Sequence, residues 1–150
     1  GSEMCIRDRC GDVCCVKPET NIKEVAKLMC DNHIGCIPVC DNNDCVCGIV
    51  TDRDVLLRCV ACNKDTNQTP VSDIMSCDVC TCKENDEMTN AQTIMGQNQV
   101  RRLPVCNSQN KIVGILTIGD LAQNDRQLGK QEVCTTIKNI CNCHEDKNNQ

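Results

Sequence analysis

GIVTDRD (48–54) returns 66 residues later as GILTIGD (114–120), with Gly, Ile, Thr and Asp in the same frame and Asp52-Arg53 replaced by Ile118-Gly119. Working outward, the same offset lays VCCVKPETNIKEVAKLMCDNHIGCIPVC (13–40) over VCTCKENDEMTNAQTIMGQNQVRRLPVC (79–106) without a gap. Val13 meets Val79, Lys17 meets Lys83, Met29 meets Met95, and Pro38-Val39-Cys40 meets Pro104-Val105-Cys106. Two copies of one unit usually mean that neither buries its apolar face alone. The unit is too long for a solenoid repeat, so the pattern predicts a pseudo-twofold pair sharing a core.

Each copy predicts the order β-α-β-β-α. A short strand (13–16; 79–82) leads to a helix whose Ile22, Val25, Ala26 and Met29 fall on one apolar face, as do Met88, Ala91 and Met95 in the second copy. Thr20 or Asn21 is the expected N-cap. An apolar strand containing Pro follows (34–39; 100–105), then a turn, DNND or NSQN, and a third strand (45–50; 111–116) that runs into the heptad. A second helix is expected to start near Asp54 or Asp120. The result is an α/β unit with parallel strands joined by a helix. The divisions are an N-terminal leader (1–11), a first unit (12–62), a linker (63–70), a second unit (71–124) and a C-terminal helix with a polar Cys/His tail (125–150). VSDIM (71–75) precedes the second unit, whereas CIRDR (5–9) does not share its pattern. The leader is therefore expected to be foreign and poorly ordered, with Gly1-Ser2 an expression scar.

Composition narrows function. Phe, Tyr and Trp are absent, and the core must come from Val, Ile, Leu, Met, Ala and the 18 Cys. A net charge of −5 and no aromatic for base stacking argue against nucleic acid. No apolar run approaches the roughly 18 residues of a membrane span, and a soluble cytoplasmic protein is expected. No nucleophile–base pair or Gly-rich phosphate loop is legible, so no catalysis is expected.

The heptad has two readings. Thr-x-x-Asp ahead of an apolar run approximates a capping box. The same groups suit a nucleotide, because a Thr hydroxyl and free helix N–H groups can hold phosphate while an Asp carboxylate takes both hydroxyls of a ribose. Duplication of the motif, each time on the same unit, favours the second reading. HIGCIPV and QVRRLPV, GIVTDRD and GILTIGD, and TPVSDIM together resemble a tandem pair of cystathionine-β-synthase (CBS) domains, a Bateman module, over about residues 12 to 124.

The resemblance implies a regulatory sensor of AMP, ADP, ATP or S-adenosylmethionine, with two clefts between paired units and assembly as a homodimer that signals to a protein target. No cofactor is required; the adenine nucleotide is the ligand. It also implies that Thr51 and Asp54, and Thr117 and Asp120, face phosphate and ribose. Ile34, Gly35, Cys36, Ile37 and Pro38, and Val100, Arg101, Arg102, Leu103 and Pro104, would line the adenine pockets, with further contacts near Cys14 and Cys80. Arg53 offers the first cleft a guanidinium suited to phosphate, where Gly119 offers nothing, and Arg101 and Arg102 replace Gly35 and Cys36. The clefts are expected to be unequal, with the Arg53 side more anion-friendly at the helix start. Without an aromatic to stack on adenine, micromolar or weaker binding is expected.

The cysteines offer an alternative, a metal-binding or redox-sensing protein on this scaffold; a ligand-free dimerisation module is a third. Cys47 lies over Val113 and Cys82 over Val16, which marks both as core hydrophobes. Cys40 overlies Cys106, and Cys45 and Cys36 lie over Lys111 and Arg102 and are expected to be exposed or cleft-facing. Cys59-x2-Cys62 and Cys77-x2-Cys80 are 14 residues apart, short of the usual zinc spacing. Cys141, Cys143 and His144 in the tail are the better metal candidate, though no metal is expected. His33, over Gln99, reads as a loop or cleft-rim residue.

Overall fold

The computed structural model describes residues 14–123. The leader, the C-terminal helix and the Cys/His tail lie outside them. The described chain forms two compact units, one running to Val79 and including Asn110–Ile112, the other built from Cys80–Gln109 and residues 113–123.

In the first unit α1 (Ile22–Asn32) starts on Asn21, whose side chain accepts from Glu24 N at 2.9 Å. It buries Ile22, Val25 and Met29, while Ala26 is half-buried at the edge of the expected stripe. His33 ends it in the left-handed conformation (φ 53°), and Ile34 N reaches back to Met29 O at 3.0 Å. Next come β1 (Cys36–Cys40) and β2 (Val46–Thr51), paired antiparallel from Cys36–Thr51 to Cys40–Val46. A bulge between Val39 and Cys40 leaves Cys47 as the extra residue, and its thiol donates to Val39 O at 3.4 Å. The leading strand predicted over 13–16 is reduced to one parallel bridge, Val16 to Val39.

The second unit repeats this plan. β3 (Cys82–Lys83) pairs parallel with β4 (Arg102–Cys106) through Cys82–Val105 and Lys83–Cys106, and β4 neighbours β5 (Ile112–Thr117). Between β3 and β4 runs α3 (Met88–Asn98), which buries Met88, Ala91, Gln92 and Met95 and ends on left-handed Gln99 (φ 55°). Val100 N then bonds Met95 O at 3.1 Å, the counterpart of Ile34 and Met29. The turns match as well. Asp41 Oδ1 accepts from Asn43 N and Asn107 Oδ1 from Gln109 N, and both turns end on a left-handed residue, Asp44 (φ 62°) or Asn110 (φ 63°).

After β2 the chain forms α2 (Asp52–Asp54) and continues as a π-helical turn, Val55–Val60. Val71–Asp73 is a 3₁₀ turn. The segment ahead of it is firmly tied. Lys23 N bonds Thr66 O at 2.9 Å, Ile22 N bonds Thr69 O at 3.0 Å, and Val71 N bonds Thr20 O at 2.7 Å. Val71 and Ile74 are wholly buried in the core of the first repeat, with Ile22, Val25, Ile37, Val39, Val50 and Cys59. The second core gathers Cys82, Met88, Ala91, Met95, Leu103, Val105 and Leu116.

Thiols fill part of the room aromatics would take. Cys40, Cys59, Cys82 and Cys106 are buried, and Cys47 is half-buried against the core. Of the two alternatives for Cys36, exposed or cleft-facing, the structure removes the first: Cys36 is buried inside a fully covered strand, paired with Thr51. Cys45 is half-buried. Burial, reinforced by the neighbouring Cys15 thiol, pushes Cys40 up to about 12 from an ordinary 9.0. Burial and then Asp41 raise Cys47. The folded state therefore favours neutral thiols. Stability is fully present below pH 9 and falls as pH climbs through 9 toward 12. Urea unfolding at pH 8 and pH 10.5 should show this loss, and Cys40→Ala should flatten it.

Candidate functional site

Both copies of the heptad end a strand and begin a helix, and in both the Thr and Asp hold each other. Thr51 N donates to Asp54 Oδ2 at 2.9 Å and Asp54 N donates to Thr51 Oγ1 at 3.1 Å, a complete capping box. At α4 (Ile118–Gln123), Thr117 N and Thr117 Oγ1 both donate to Asp120 Oδ2, at 2.8 and 3.1 Å, and Asp120 N donates to Thr117 Oγ1 at 3.3 Å. The capping geometry is real in both repeats. It leaves acceptor capacity on each carboxylate, since an ionised Asp offers about four lone-pair sites.

A second contact recurs and joins the heptad to the segment ahead of Pro. Asp52 N donates to Gly35 O at 3.0 Å, and Ile118 N donates to Arg101 O at 3.2 Å. The pairing Cys36–Thr51 continues that alignment in the first repeat. Ile34 to Cys36 thus stand beside Thr51 and Asp54, and Arg101 and Arg102 beside Thr117 and Asp120. Within these walls Ile34, Gly35 and Val100 are half-buried and Arg101 and Arg102 are exposed, whereas Ile37, Pro38, Leu103 and Pro104 are buried. Ile37 and Leu103 belong to the two cores, so their side chains serve packing. Cys14 is half-buried two residues before the Val16 bridge, and its thiol is raised by burial and then by Cys15. Cys80, two residues before β3, packs against the second core.

Two further side chains complete the first motif, one of them, Arg58, not singled out in the sequence. Arg58 Nε lies 3.8 Å from Asp54 Oδ1, and Arg58 Nη1 donates to Ile74 O at 3.1 Å. The signal was the i,i+4 spacing of Asp54 and Arg58. Asp52 is the other. Its carboxylate accepts from Arg53 N at 2.8 Å and rests on Gly35, where an added Cβ would come within 3.0 Å of Oδ2. Gly35 and Asp52 therefore fit as a pair, and the second repeat exchanges both, for Arg101 and Ile118. The exposed Arg53 shares its turn with two carboxylates, Asp52 and Asp54, while the second repeat carries exposed Arg101 and Arg102 on the segment that accepts from Ile118 N.

Among the described residues no three of His, Cys, Asp and Glu stand together as a metal site requires. Cys59 is buried in the core while Cys62 is exposed, and Cys77 is exposed while Cys80 is half-buried. Cys141, Cys143 and His144 lie outside the described residues. No helix among those described is long and apolar enough to cross a membrane.

The family model described as "CBS domain" matches residues 8–61 and 71–126. The chain is 39% identical over 128 residues to the CBS domain-containing protein YhcV of Bacillus subtilis, covering 85% of this chain and 88% of that one. A crystal structure of Hypoxic Response Protein I with two coordinated zinc ions superimposes with a TM-score of 0.72 at 28% identity, over 79% of this chain and 97% of that one; Hypoxic response protein 1 is a protein of Mycobacterium tuberculosis. CBSX2 in complex with AMP, a protein of Arabidopsis thaliana, superimposes with a TM-score of 0.69 at 24% identity over 84% and 98% of the two chains, which speaks for the fold. Two family matches, on two repeats that share caps, turns and strand register, establish that the chain belongs to the CBS-domain family as a tandem pair.

Proposed function

We propose that this chain is a regulatory module that binds an adenosine-containing ligand and does no chemistry of its own. Thr51 and Thr117 would turn to phosphate, Asp54 and Asp120 to the ribose hydroxyls, and the segments 34–38 and 100–104 to adenine, the buried residues through backbone groups alone. The observation that carries the reading is the recurrent bond from the heptad to the strand ahead of Pro, Asp52 to Gly35 and Ile118 to Arg101. It sets the same polar pair beside the same half-open strand end twice. The AMP held by CBSX2 is the precedent for the ligand class. Homodimerisation, signalling to a protein target and a cytoplasmic setting belong to the same proposal, and exposed Leu56, Leu57 and Val60 offer an apolar face for assembly.

A thermal-shift panel with AMP, ADP, ATP and S-adenosylmethionine tests the reading. Ligand at 100 times Kd should add about 2.7 kcal/mol of stability. Silence across the panel sinks the proposal. Calorimetric titration then separates the sites. Asp54→Ala and Asp120→Ala should each weaken one site by about tenfold or more, in keeping with the loss of a charge-assisted hydrogen bond. Asp54→Asn and Asp120→Asn retain an acceptor for the Thr N–H, so they should lose binding with less loss of stability.

A further inference from the structure

The first heptad runs into a turn of unusual winding. Val55–Val60 is π-helical: Ala61 N donates to Leu56 O at 2.9 Å and Lys64 N to Cys59 O at 3.0 Å, each reaching back five residues. Such turns are rare and gather at functional sites. Arg58 lies within this one, and its guanidinium meets two groups at once. Nη1 donates to Ile74 O at 3.1 Å, and Nε lies 3.8 Å from Asp54 Oδ1. The Ile74 end is fixed. Ile74 is wholly buried, its N–H donates to Val71 O, and Ser76 N and O are both bonded to Ile49 at 2.9 Å. Asp54 Oδ2 is taken by Thr51 N, so Oδ1 is the oxygen that Arg58 holds.

The second repeat does without this device. Thr117 and Asp120 close their pair with three bonds of their own, α4 is α-helical, and the sequence has Asn124 where the 66-residue offset would put a counterpart of Arg58. Capping the turn therefore does not require the arginine. Nor does the ion pair itself supply much stability, because the Arg58 side chain is 55% exposed and pairs of that kind contribute little. A planar fork set between a carboxylate and a fixed carbonyl serves geometry, which a single ammonium could not do.

We propose that Arg58 is a positioning residue through which residues 71–76 set the affinity of the first ligand site. The inference rests on the reading that Asp54 receives ribose hydroxyls. Arg58 reaches from the Ile74 carbonyl to Asp54 Oδ1 and holds that oxygen in one orientation before ligand arrives, so binding does not have to order it. The effect runs both ways. A ligand seated on Asp54 fixes the carboxylate that Arg58 needs, which steadies its bond to Ile74 O. A change that displaces residues 71–76 loosens Asp54 by the same free energy. Occupancy of the first motif is thereby felt at the residues where the second family match begins.

The test titrates the full chain calorimetrically with AMP, ADP, ATP and S-adenosylmethionine in turn. Arg58→Met keeps the apolar stem and should weaken the site that Asp54→Asn weakens by about two- to tenfold, the cost of ordering one free side chain on binding. Arg58→Lys keeps the charge but not the fork and should fall between parent and Arg58→Met. In an Asp54→Asn background Arg58→Met should cause no further loss, because the arginine acts through Asp54. Hydrogen exchange should show the bound ligand slowing the amides of Met75 and Ser76 in the parent and not in Arg58→Met. A parent silent to all four ligands removes the binding reading and this inference with it. A parent that binds while Arg58→Met binds equally well overturns this inference alone, even if the variant melts lower, as do losses that simply add in the double variant.

Discussion

Ile74→Ala will lower the unfolding free energy by about 2–5 kcal/mol, the range for truncating a large aliphatic side chain in a packed core. Ile74 is wholly buried among Ile22, Val25, Ile37 and Val50, although the family match places it at the start of the second repeat. The site has little freedom to collapse around the missing atoms. Val71 N is bonded to Thr20 O at 2.7 Å, Ile74 N to Val71 O at 3.1 Å, and Ile74 O receives Arg58 Nη1 at 3.1 Å. A cavity left there stays open, which favours the upper part of the range. Urea denaturation of the purified variant checks it, with Leu57→Ala, at 46% exposure, as a surface comparison expected within about 0.5 kcal/mol of the parent. A loss below about 1 kcal/mol for Ile74→Ala would remove residues 70–76 from the first core.

Gly48→Val should cost about 1–3 kcal/mol, the range for overpacking a filled interior. Gly48 opens the heptad, is buried, and pairs with Val39 across the sheet. A Cβ placed on it would lie 2.6 Å from Met75 Sδ and 3.1 Å from Ser76 O. The Met75 side chain can swing aside. Ser76 cannot, because it is bonded twice to Ile49, through Ile49 N to Ser76 O and Ser76 N to Ile49 O, both at 2.9 Å. Gly48→Ala should therefore be milder, with Met75 absorbing most of the strain, and Met75→Ala should rescue part of the Gly48→Val loss. A melting-temperature series over the three variants and their combination reads the coupling. Additive losses would show that Met75 is not the obstacle.

Much of the fold could be read from one repeat laid on the other. The helix faces of Ile22, Val25 and Met29 and of Met88, Ala91 and Met95 came from spacing, and the shared Pro-Val-Cys segment located β1 and β4. The left-handed residues at His33 and Gln99 could be placed only by alignment, since neither is glycine. What stayed hidden depends on contacts distant in sequence. Residues 63–70 read as a linker, yet the carbonyls of Thr66 and Thr69 receive the first free N–H groups of α1. The π-helical turn at Val55–Val60 has no sequence signature of its own. The burial of Cys36 was not legible because its counterpart is an exposed arginine, and alignment carries position without burial. At the candidate site the Thr–Asp pairs were legible as chemistry, whereas the fit of Asp52 against Gly35 appears only when both backbones are in place. The sequence also could not say that Ile37 and Leu103 face the cores.

The two capping boxes carry a kinetic consequence. Because Thr51 N and Arg58 already fix Asp54, and Thr117 already fixes Asp120, each carboxylate sits in one rotamer before any ligand arrives. A ribose that docks on such a group immobilises nothing new, so the ordering cost of about 0.5–1.5 kcal/mol for a free side chain falls on folding instead of on binding. Association should then proceed in a single exponential phase whose rate rises linearly with ligand concentration, without the plateau that marks a slow rearrangement. Under the proposed function, a preorganised pair of this kind would let the module respond as fast as its ligand level changes.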